Sequence, residues 1–477
     1  MVMTEQPVVV QMWRRVWSGS VSTSTAQDRR WWPGARTVGR TGAVVAAVLA
    51  FGVAALVLFI DPIVNSMVKP RLLRAFAEAY PQYELQPGTL TIGIISNRVE
   101  CDSLVVASRD TSWTARGGPI AVSGMDWWSL IWHREITSAH LAAVVIEIRQ
   151  GTLMLPGSDY EVHYDSLRVS VADSTFSISS LSMLPSHEDE LFFASSPFRR
   201  TRLRMAVPRI EASGVAWLAP LNGGSYGARS IRCQDPTFDI LLNKEKPFFK
   251  DPVGPMMPSE LLSSTGNDVR IDSLVVTNGQ LRYGERSGVR QQPGVISLDS
   301  VQIGVERVVT TADPADTVFV RASGRFMNAG EMTVAMVIPI GSPGLSYRFS
   351  GSLRRMGLQS LNAFLERAEH VRITGGVLHD ATFAITVSGG RARGSVRAYY
   401  RDLAIAMIDG RTGSAEGIVN RIASFIGNKI TMRGTNMPDG SGAAAIGAVR
   451  YDHRKGETFI EFSWFALRSG VGDVVGF

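Results

Sequence analysis

Short stretches of alternating apolar and polar residues begin near residue 88 and recur to the C-terminal region, separated by Gly, Asn, Asp, Ser and Pro. Examples are "LTIGIIS" at 90–96 and "VRIDSLVVTNGQLRYGE" at 269–285. This pattern is typical of β-strands joined by turns. Because few gaps are long enough for crossover helices, the pattern predicts a mainly β chain of antiparallel hairpins and meanders.

One strand pattern, an Asp-Ser pair between two apolar stretches, occurs four times: "VECDSLVV" at 99–106, "VHYDSLRV" at 162–169, "VRIDSLVV" at 269–276 and "ISLDSVQI" at 296–303. In each copy, the apolar residues before the pair and those after it differ in whether their positions are odd or even. A regular strand would therefore point them to opposite faces. One extra residue at the pair would restore a single apolar face, which predicts a β-bulge or bend at each copy. The alternative is a strand whose two halves bury opposite faces. The residues predicted to line one apolar face are Val99, Cys101, Leu104, Val106, Val162, Tyr164, Leu167, Val169, Val269, Ile271, Leu274, Val276, Ile296, Leu298, Val301 and Ile303.

Residues 41–60, "TGAVVAAVLAFGVAALVLFI", contain no charged side chain and are long enough to cross a bilayer as a helix. The stretch ends in bulky residues rather than a small-residue cleavage site, which favours an uncleaved anchor over a signal peptide. Arginines precede it, so the positive-inside rule places the N-terminus in the cytoplasm and the rest of the chain outside. The apolar residues predicted to hold this anchor are Val44, Leu49, Phe51, Leu56, Leu58, Phe59 and Ile60.

Three further segments have the spacing of helices: 62–80, 358–370 and 415–430. The last two are amphipathic, which fits either a helix packed on a sheet or a helix lying at a membrane surface. The Pro-rich and charged segments 185–200 and 243–258 are interpreted as flexible insertions.

The positive charge of the chain lies mostly at its N-terminus. Residues 1–40 hold six Arg against one Glu and one Asp, so +6 − 2 = +4, and the formal +6 of the whole chain leaves +6 − 4 = +2 for the other 437 residues. A nucleic-acid-binding protein would carry its positive charge on the folded body, so no nucleic-acid partner is expected. The two cysteines, Cys101 and Cys233, are too few for a disulfide scaffold, and whether they pair stays open.

No catalytic constellation emerges from the motifs. "GGSYG" at 223–227 matches a nucleophile elbow but is not followed by a helical pattern, so it is interpreted as a turn. The seven histidines form no zinc-type pair. "HEDE" at 187–190 fits a solvated loop better than a cation site, and "RRTRLR" at 199–204 fits an exposed strand or loop better than a lipid-headgroup contact. The sequence therefore predicts neither an enzyme nor a cofactor.

The layout resembles the AsmA-like envelope proteins of bacteria with two membranes. The resemblance rests on the apolar anchor, on "LQPGTLTIGIISNRVECDSLVV" at 85–106, on "VRIDSLVVTNGQLRYGE", on the strand-rich 371–409 segment and on the closing "AVRYDHRKGETFIEFSWFALRSGVGDVV" at 448–475. It covers most of residues 41–477 and depends on layout and strand texture, not on a catalytic signature.

The resemblance implies an elongated, curled antiparallel sheet forming an open groove, with a cytoplasmic tail (1–40), an inner-membrane anchor (41–60), a periplasmic AsmA-like β region (61–350) and a C-terminal AsmA-like region with amphipathic helices (351–477). It also implies that the protein holds or transfers phospholipid, or another envelope lipid, between membranes and supports outer-membrane integrity. About 20 strands at ~4.8 Å spacing would span roughly 100 Å, so either an outer-membrane or periplasmic protein partner or an oligomer is expected. The alternative is a non-enzymatic assembly or scaffold factor with a closed, dry core.

Overall fold

The strands dominate the described part of the chain, and the prediction of a mainly β protein is confirmed. The structure is a computed structural model. It describes residues 70, 73, 74, 77 and 78, then 81–93, 96–109, 114–124, 138–154, 159–219, 224–247, 269–286, 291–310, 316–340, 345–408, 432–438, 443–454 and 457–476. The predicted cytoplasmic tail, the predicted anchor at 41–60 and the predicted amphipathic helix at 415–430 lie outside these residues.

Twenty strands belong to one mixed sheet. They are β1 (Tyr83–Pro87), β2 (Leu90–Gly93), β3 (Arg98–Cys101), β4 (Leu104–Ser108), β5 (Thr114–Gly117), β6 (Ile120–Ser123), β7 (Val145–Met154), β8 (Tyr160–Ser170), β9 (Thr175–Pro185), β10 (Thr201–Ser213), β11 (Tyr226–Gln234), β12 (Thr237–Asn243), β13 (Val269–Arg286), β14 (Gly294–Val309), β15 (Thr317–Phe326), β16 (Gly330–Pro339), β17 (Tyr347–Gly357), β18 (Val371–Ser388), β19 (Arg391–Met407) and β20 (Ile446–Asp452).

Four α-helices have bounds within the described residues: α1 (Ser138–Leu141), α2 (Asp189–Ala194), α3 (Asn362–Ala368) and α4 (Phe459–Val475), with a 3₁₀ turn at Leu358–Leu361 before α3. The helix predicted at 358–370 is confirmed, and Phe364 and Ala368 are buried against the sheet. The described residues of the helix predicted at 62–80 are helical.

The prediction of a purely antiparallel sheet is wrong at one place. β11 and β12 both pair in parallel with β13, with Cys233 opposite Val276 and Ile240 opposite Tyr283. Parallel neighbours need a long connection, and residues 244–268 supply it. The segment interpreted as an insertion at 243–258 therefore begins a crossover.

The described residues form two compact units. One contains the described residues of 1–157, 166–174 and 217–223, and the other contains those of 158–165, 175–216 and 224–477. In the first, β1 to β7 form broken hairpins, with β4 between β1 and β5 and β3 between β2 and β6. In the second, β13 to β20 form an antiparallel meander.

The main core of the second unit lies between β15–β20 and helices α3 and α4. Alternate strand residues such as Phe349, Ile385 and Val396 point inward and meet Phe462 and Ala466 of α4. The helix begins with a capping box, in which Thr458 and Glu461 satisfy each other's backbone N–H groups. Gly447 and Gly470 allow close approach, because a Cβ at Gly447 would lie 2.0 Å from the Gly470 carbonyl oxygen.

Candidate apolar binding face

Rows of apolar side chains cross β9 to β14 on one face of the second unit. Direct cross-strand partners lie on the same face of a sheet, so each row follows from the pairing register. One row joins Ile178, Ile210, Cys233, Val276 and Ile303. All five side chains are half-buried.

A second row joins Met183, Met205, Phe238, Leu281 and Leu298, and it passes through β12 where the first row passes through β11. On each strand that both rows cross, one row contains an even-numbered residue and the other contains an odd-numbered residue. A Cβ at Gly279 would lie 3.4 Å from both the Val276 Cγ1 and the Val301 Cβ atoms, so Gly279 points to the same side as Val276. Leu281 is two residues further on and shares that side. The two rows therefore form one apolar face.

A line of irregular residues between the rows makes this change of parity possible. We call it the second-unit crease: Ser180, Pro208, Asp235, Asn278 and Ser300. All except Pro208 have positive φ angles, between 50° and 53°. Each crease residue is an extra or displaced residue in its strand. The side chains that follow it therefore point to the opposite face from the one that regular alternation would give.

Side chains hold the crease where the ladder of backbone hydrogen bonds is interrupted. The Asn278 Nδ2 atom donates to the Asp235 Oδ1 atom at 2.6 Å. The Asp235 N–H donates to the Thr277 carbonyl at 2.9 Å, and the Gln280 N–H donates to the Pro236 carbonyl at 2.8 Å. The crease is therefore a bonded feature of the sheet rather than a gap in it.

The Asp-Ser copies behave differently from one another. At Asp299–Ser300 the register with β15 shifts, so the predicted bulge is confirmed. At Asp272–Ser273 the registers with β11 and β14 are the same before and after the pair, as they are across Ser180, but Asp272 has no partner in either ladder and Arg307 opposite it has a positive φ of 58°. Val308 and Val305, the partners of Ile271 and Leu274, both pack against the main core, so the predicted bend is supported and the two apolar pairs share one face.

The other two copies lie in the first unit or at its boundary. Asp102–Ser103 separates β3 from β4, which confirms a break there. β8 runs without interruption through Asp165–Ser166, where the division between the two units also falls. The predicted residues of β8, namely Val162, Tyr164, Leu167 and Val169, are half-buried.

The first unit has its own apolar face and its own crease. Leu90, Cys101, Ile120 and Ile148 form one row of partners, and Leu85, Val106, Ala115 and Leu153 form another. A Cβ at Gly117, the partner of Leu104, would lie 3.3 Å from Ile148 and 3.8 Å from Ile120, which places both rows on one side. Val99, Cys101, Leu104 and Val106 therefore share one apolar face, as the parity argument requires.

The first-unit crease consists of Gly88–Thr89, Asp102–Ser103, Gly118–Pro119 and Gln150 on adjacent strands. The Thr89 N–H donates to the Asp102 Oδ1 atom at 2.8 Å. Hydrogen bonds from Thr89 hold the pKa of Asp102 below its ordinary value. This Asp acts as an acceptor for a backbone group, which is an architectural role.

Helices α3 and α4 cover one end of the second-unit face. Ile240, Tyr283 and Ile296 are buried there beneath Phe364 and Ala368. Leu203, Leu281 and Trp464 pack around this cluster. The face thus passes from half-buried residues at one end to a packed core at the other.

A charged network accompanies the covered end. The Tyr283 hydroxyl donates to Glu285 at 2.9 Å, and Lys244 contacts Glu285 and also Glu369, at 3.1 Å. Burial, together with the charge of Glu285, raises the pKa of Tyr283, so its hydroxyl stays protonated. Arg468 of α4 bonds both carboxylate oxygens of Glu369, at 2.9 and 3.1 Å. These contacts tie α3 and α4 to the strand ends.

Segment 185–200, interpreted as a flexible insertion, contains α2, whose Phe192 and Phe193 are buried. Asp189 pairs with Arg202 and Arg204, and Glu190 pairs with Arg286. Arg202 is only 3% exposed. The prediction of a solvated loop at "HEDE" is wrong for Asp189 and Glu190, which lie in α2 and pair with arginines, and "RRTRLR" is not exposed throughout, because Arg202 is buried.

The remaining candidates for chemistry fit structural roles. Ser225 is followed by β11, whereas a nucleophile elbow requires a helix at that point. Cys101 and Cys233 are free thiols. Within the residues that the structure describes, no group of three or more metal-ligating side chains occurs. None of the helices in the described ranges combines the length and apolarity needed to cross a membrane.

Comparison with known proteins gives no match, either to a family model or to a curated protein.

Proposed function

We propose that this chain is an inner-membrane-anchored periplasmic protein whose apolar sheet face holds or transfers phospholipid between the envelope membranes, in support of outer-membrane integrity. The observation that carries the proposal is the continuous apolar face of β9–β14, kept on one side of the sheet by the second-unit crease. The localisation rests on the apolar 41–60 segment and the preceding arginines.

The part of the face left half-buried is the row of Ile178, Ile210, Cys233, Val276 and Ile303. A wide row of partly exposed apolar side chains is costly in water, and such surfaces mark binding sites. An acyl chain lying across the row would gain about 0.8 kcal/mol for each CH₂ group removed from water. A row that crosses several strands suits a long, flexible, apolar ligand better than a compact polar one.

A scaffold with a closed, dry core is the second candidate. It is favoured by the core beneath α3 and α4, where Tyr283, Ile296 and Phe364 are already buried by protein. The two candidate functions differ at the row that contains Val276. Lipid covers this row in a lipid-binding protein, whereas other protein groups cover it in a scaffold.

Lipid extraction and mass spectrometry of the purified full chain, combined with a photo-crosslinking residue at Ile303, test the proposal. We expect co-purified phospholipid and a crosslink to it. Val276→Asp should lower both, because a carboxylate in the row opposes acyl-chain contact.

Val275→Asp is the matched control, because Val275 is the adjacent half-buried valine on the opposite face. It should leave the crosslink intact. A folded wild-type chain that yields no phospholipid would favour the scaffold, and equal loss in both variants would remove the case for the apolar face.

A further inference from the structure

Three arginines lie in one row on the outer face of β17–β20. Arg393 and Arg450 are direct partners on β19 and β20. Thr386 of β18 is the partner of both Arg393 and Arg348, so Arg348 continues the row on β17. At about 4.8 Å between strands, Arg348 and Arg393 lie roughly 10 Å apart.

Arg391 and Arg397 extend this row along β19, because they are separated from Arg393 by even numbers of residues. We call Arg348, Arg391, Arg393, Arg397 and Arg450 the arginine patch. All five are exposed. The alternate residues Ala392, Val396 and Val449 are buried in the core with α4, so the patch points away from that core.

The patch carries a net positive charge. Segments 345–351, 384–397 and 446–452 contain its five arginines and one other charged residue, Asp452, so the sum is +5 − 1 = +4. Asp452 lies 3.3 Å from Arg393. Several arginines elsewhere on the sheet have acidic partners, as in Arg321 with Glu306 at 2.8 Å.

An exposed apolar side chain stands beside these charges. Ile446 is the direct partner of Arg397 and is 51% exposed. The hydroxyl groups of Thr386 and Ser350 lie on the same face, and both residues are exposed. The patch thus combines guanidinium and hydroxyl donors with an apolar group.

We infer that the arginine patch docks on the phosphate-bearing headgroup layer of an anionic bilayer. A guanidinium matches two phosphate oxygens at once, and Ile446 can enter the apolar edge of the same layer. The charge of the patch complements the negative surface potential of such a membrane. This docking does not require lipid on the apolar face, so it stands or falls separately from the proposed function.

The test uses the reconstituted full chain with Cys101→Ser, Cys233→Ser and Ser388→Cys, carrying an environment-sensitive dye at position 388 beside Arg391. We expect the emission to shift to the blue with added vesicles of phosphatidylcholine plus phosphatidylglycerol, and not with phosphatidylcholine alone. Salt should reverse the shift. At about fivefold for each arginine, Arg393→Ser, Arg397→Ser and Arg450→Ser together should weaken vesicle binding on the order of 100-fold.

The matched control removes the same charge from paired, exposed arginines outside the patch: Arg270→Ser, Arg321→Ser and Arg354→Ser. It should bind vesicles like the parent. Equal binding by both triple variants, an equal shift with phosphatidylcholine alone, or an equal shift with a DNA duplex would each overturn the inference. If circular dichroism shows that the triple patch variant is unfolded, vesicle binding by the Arg397→Ser single variant and the salt titration of the parent test the same inference.

Discussion

Asn278 and Ser300 are extra residues on paired strands, and each cancels the register shift made by the other. From Val276 to Gly279, β13 advances three residues while β14 advances two. From Gly279 to Leu281, β13 advances two residues while β14 advances three. Both residues have positive φ, 52° and 51°. The long β13–β14 pair therefore changes faces at the crease and leaves it in the same register.

The positive φ of Ser300 predicts an unusual response to glycine. Glycine adopts this conformation without the strain of a Cβ, so Ser300→Gly should raise the free energy of unfolding by up to about 1 kcal/mol. Ser300→Val should lower it by at least about 1 kcal/mol, because a β-branched side chain tolerates positive φ poorly. Chemical denaturation measures both effects.

Ser323, an exposed serine in the regular part of β15, is the control. There Ser323→Gly should destabilise, since glycine in a strand costs entropy without a conformational gain. If glycine changed the free energy of unfolding in the same direction at Ser300 and at Ser323, the proposed role of the crease would be contradicted.

The edge strand β20 depends on side chains of α4. Asp473 Oδ2 accepts from the Ala448 N–H at 2.7 Å, and Ser469 Oγ accepts from the Arg450 N–H at 3.3 Å. These bonds occupy donors that an edge would otherwise offer to another chain. Asp473→Ala should cost about 1 kcal/mol and speed hydrogen exchange at Ala448. Asp452→Ala, which removes a carboxylate from the same strand, should leave exchange at Ala448 unchanged.

The Glu369 carboxylate should make stability depend on pH. Burial works to raise its pKa, but the hydrogen bond from Arg468 and the charge of Lys244 outweigh burial and lower it from 4.5. A lowered folded-state pKa contributes stability that is present above the unfolded value and is lost as pH falls through the folded value. Glu369→Gln should therefore lower stability by about 1–2 kcal/mol at neutral pH and progressively less below about pH 4.

Thermal unfolding across this pH range, followed by circular dichroism, gives the measurement. Glu331→Gln, at an exposed carboxylate of β16, is the control and should change stability little at either end of the range. A Glu369→Gln effect of equal size at every pH would show that packing, not charge, is responsible.

The thiol of Cys233 reports on the occupancy of the apolar row. Burial raises its pKa, so less thiolate forms at a given pH and alkylation should be slow. In a Cys101→Ser chain, we expect lipid removal by detergent to speed alkylation of Cys233. Re-addition of phospholipid should slow it again, as intact-mass spectrometry would detect, and an unchanged rate would count against a ligand in that row.

Much of the β architecture is predictable because period-two alternation survives in nearly every strand. The parity rule identified the break at Asp102–Ser103 and the bulge at Ser300. The same rule applies at Ile178 and Leu181 around Ser180, where no Asp-Ser pair draws attention to it. Parity is therefore the physical signal, and the Asp-Ser motif is one of several local ways to satisfy it.

Other features depend on distant contacts. The parallel pairing of β11 with β13 is set by a crossover whose ends look like ordinary loop residues. The short helix α2 is stabilised by burial of Phe192 and Phe193 and by ion pairs to remote strands. Helix α4 did have a local signal, the Thr458 and Glu461 capping box followed by Phe462 and Ala466 at helical spacing.

The crease also makes the sheet modular. Each strand that crosses it has its own displaced residue, and the excess at Asn278 is balanced on the next strand by Ser300. β15 carries no such residue, so the β14–β15 register shifts by one residue at Asp299–Ser300, and β15 and β16 then pair in uninterrupted register. The crease therefore ends at β14, strands added beyond β15 need no displaced residue of their own, and chains of different length can be built on the same plan.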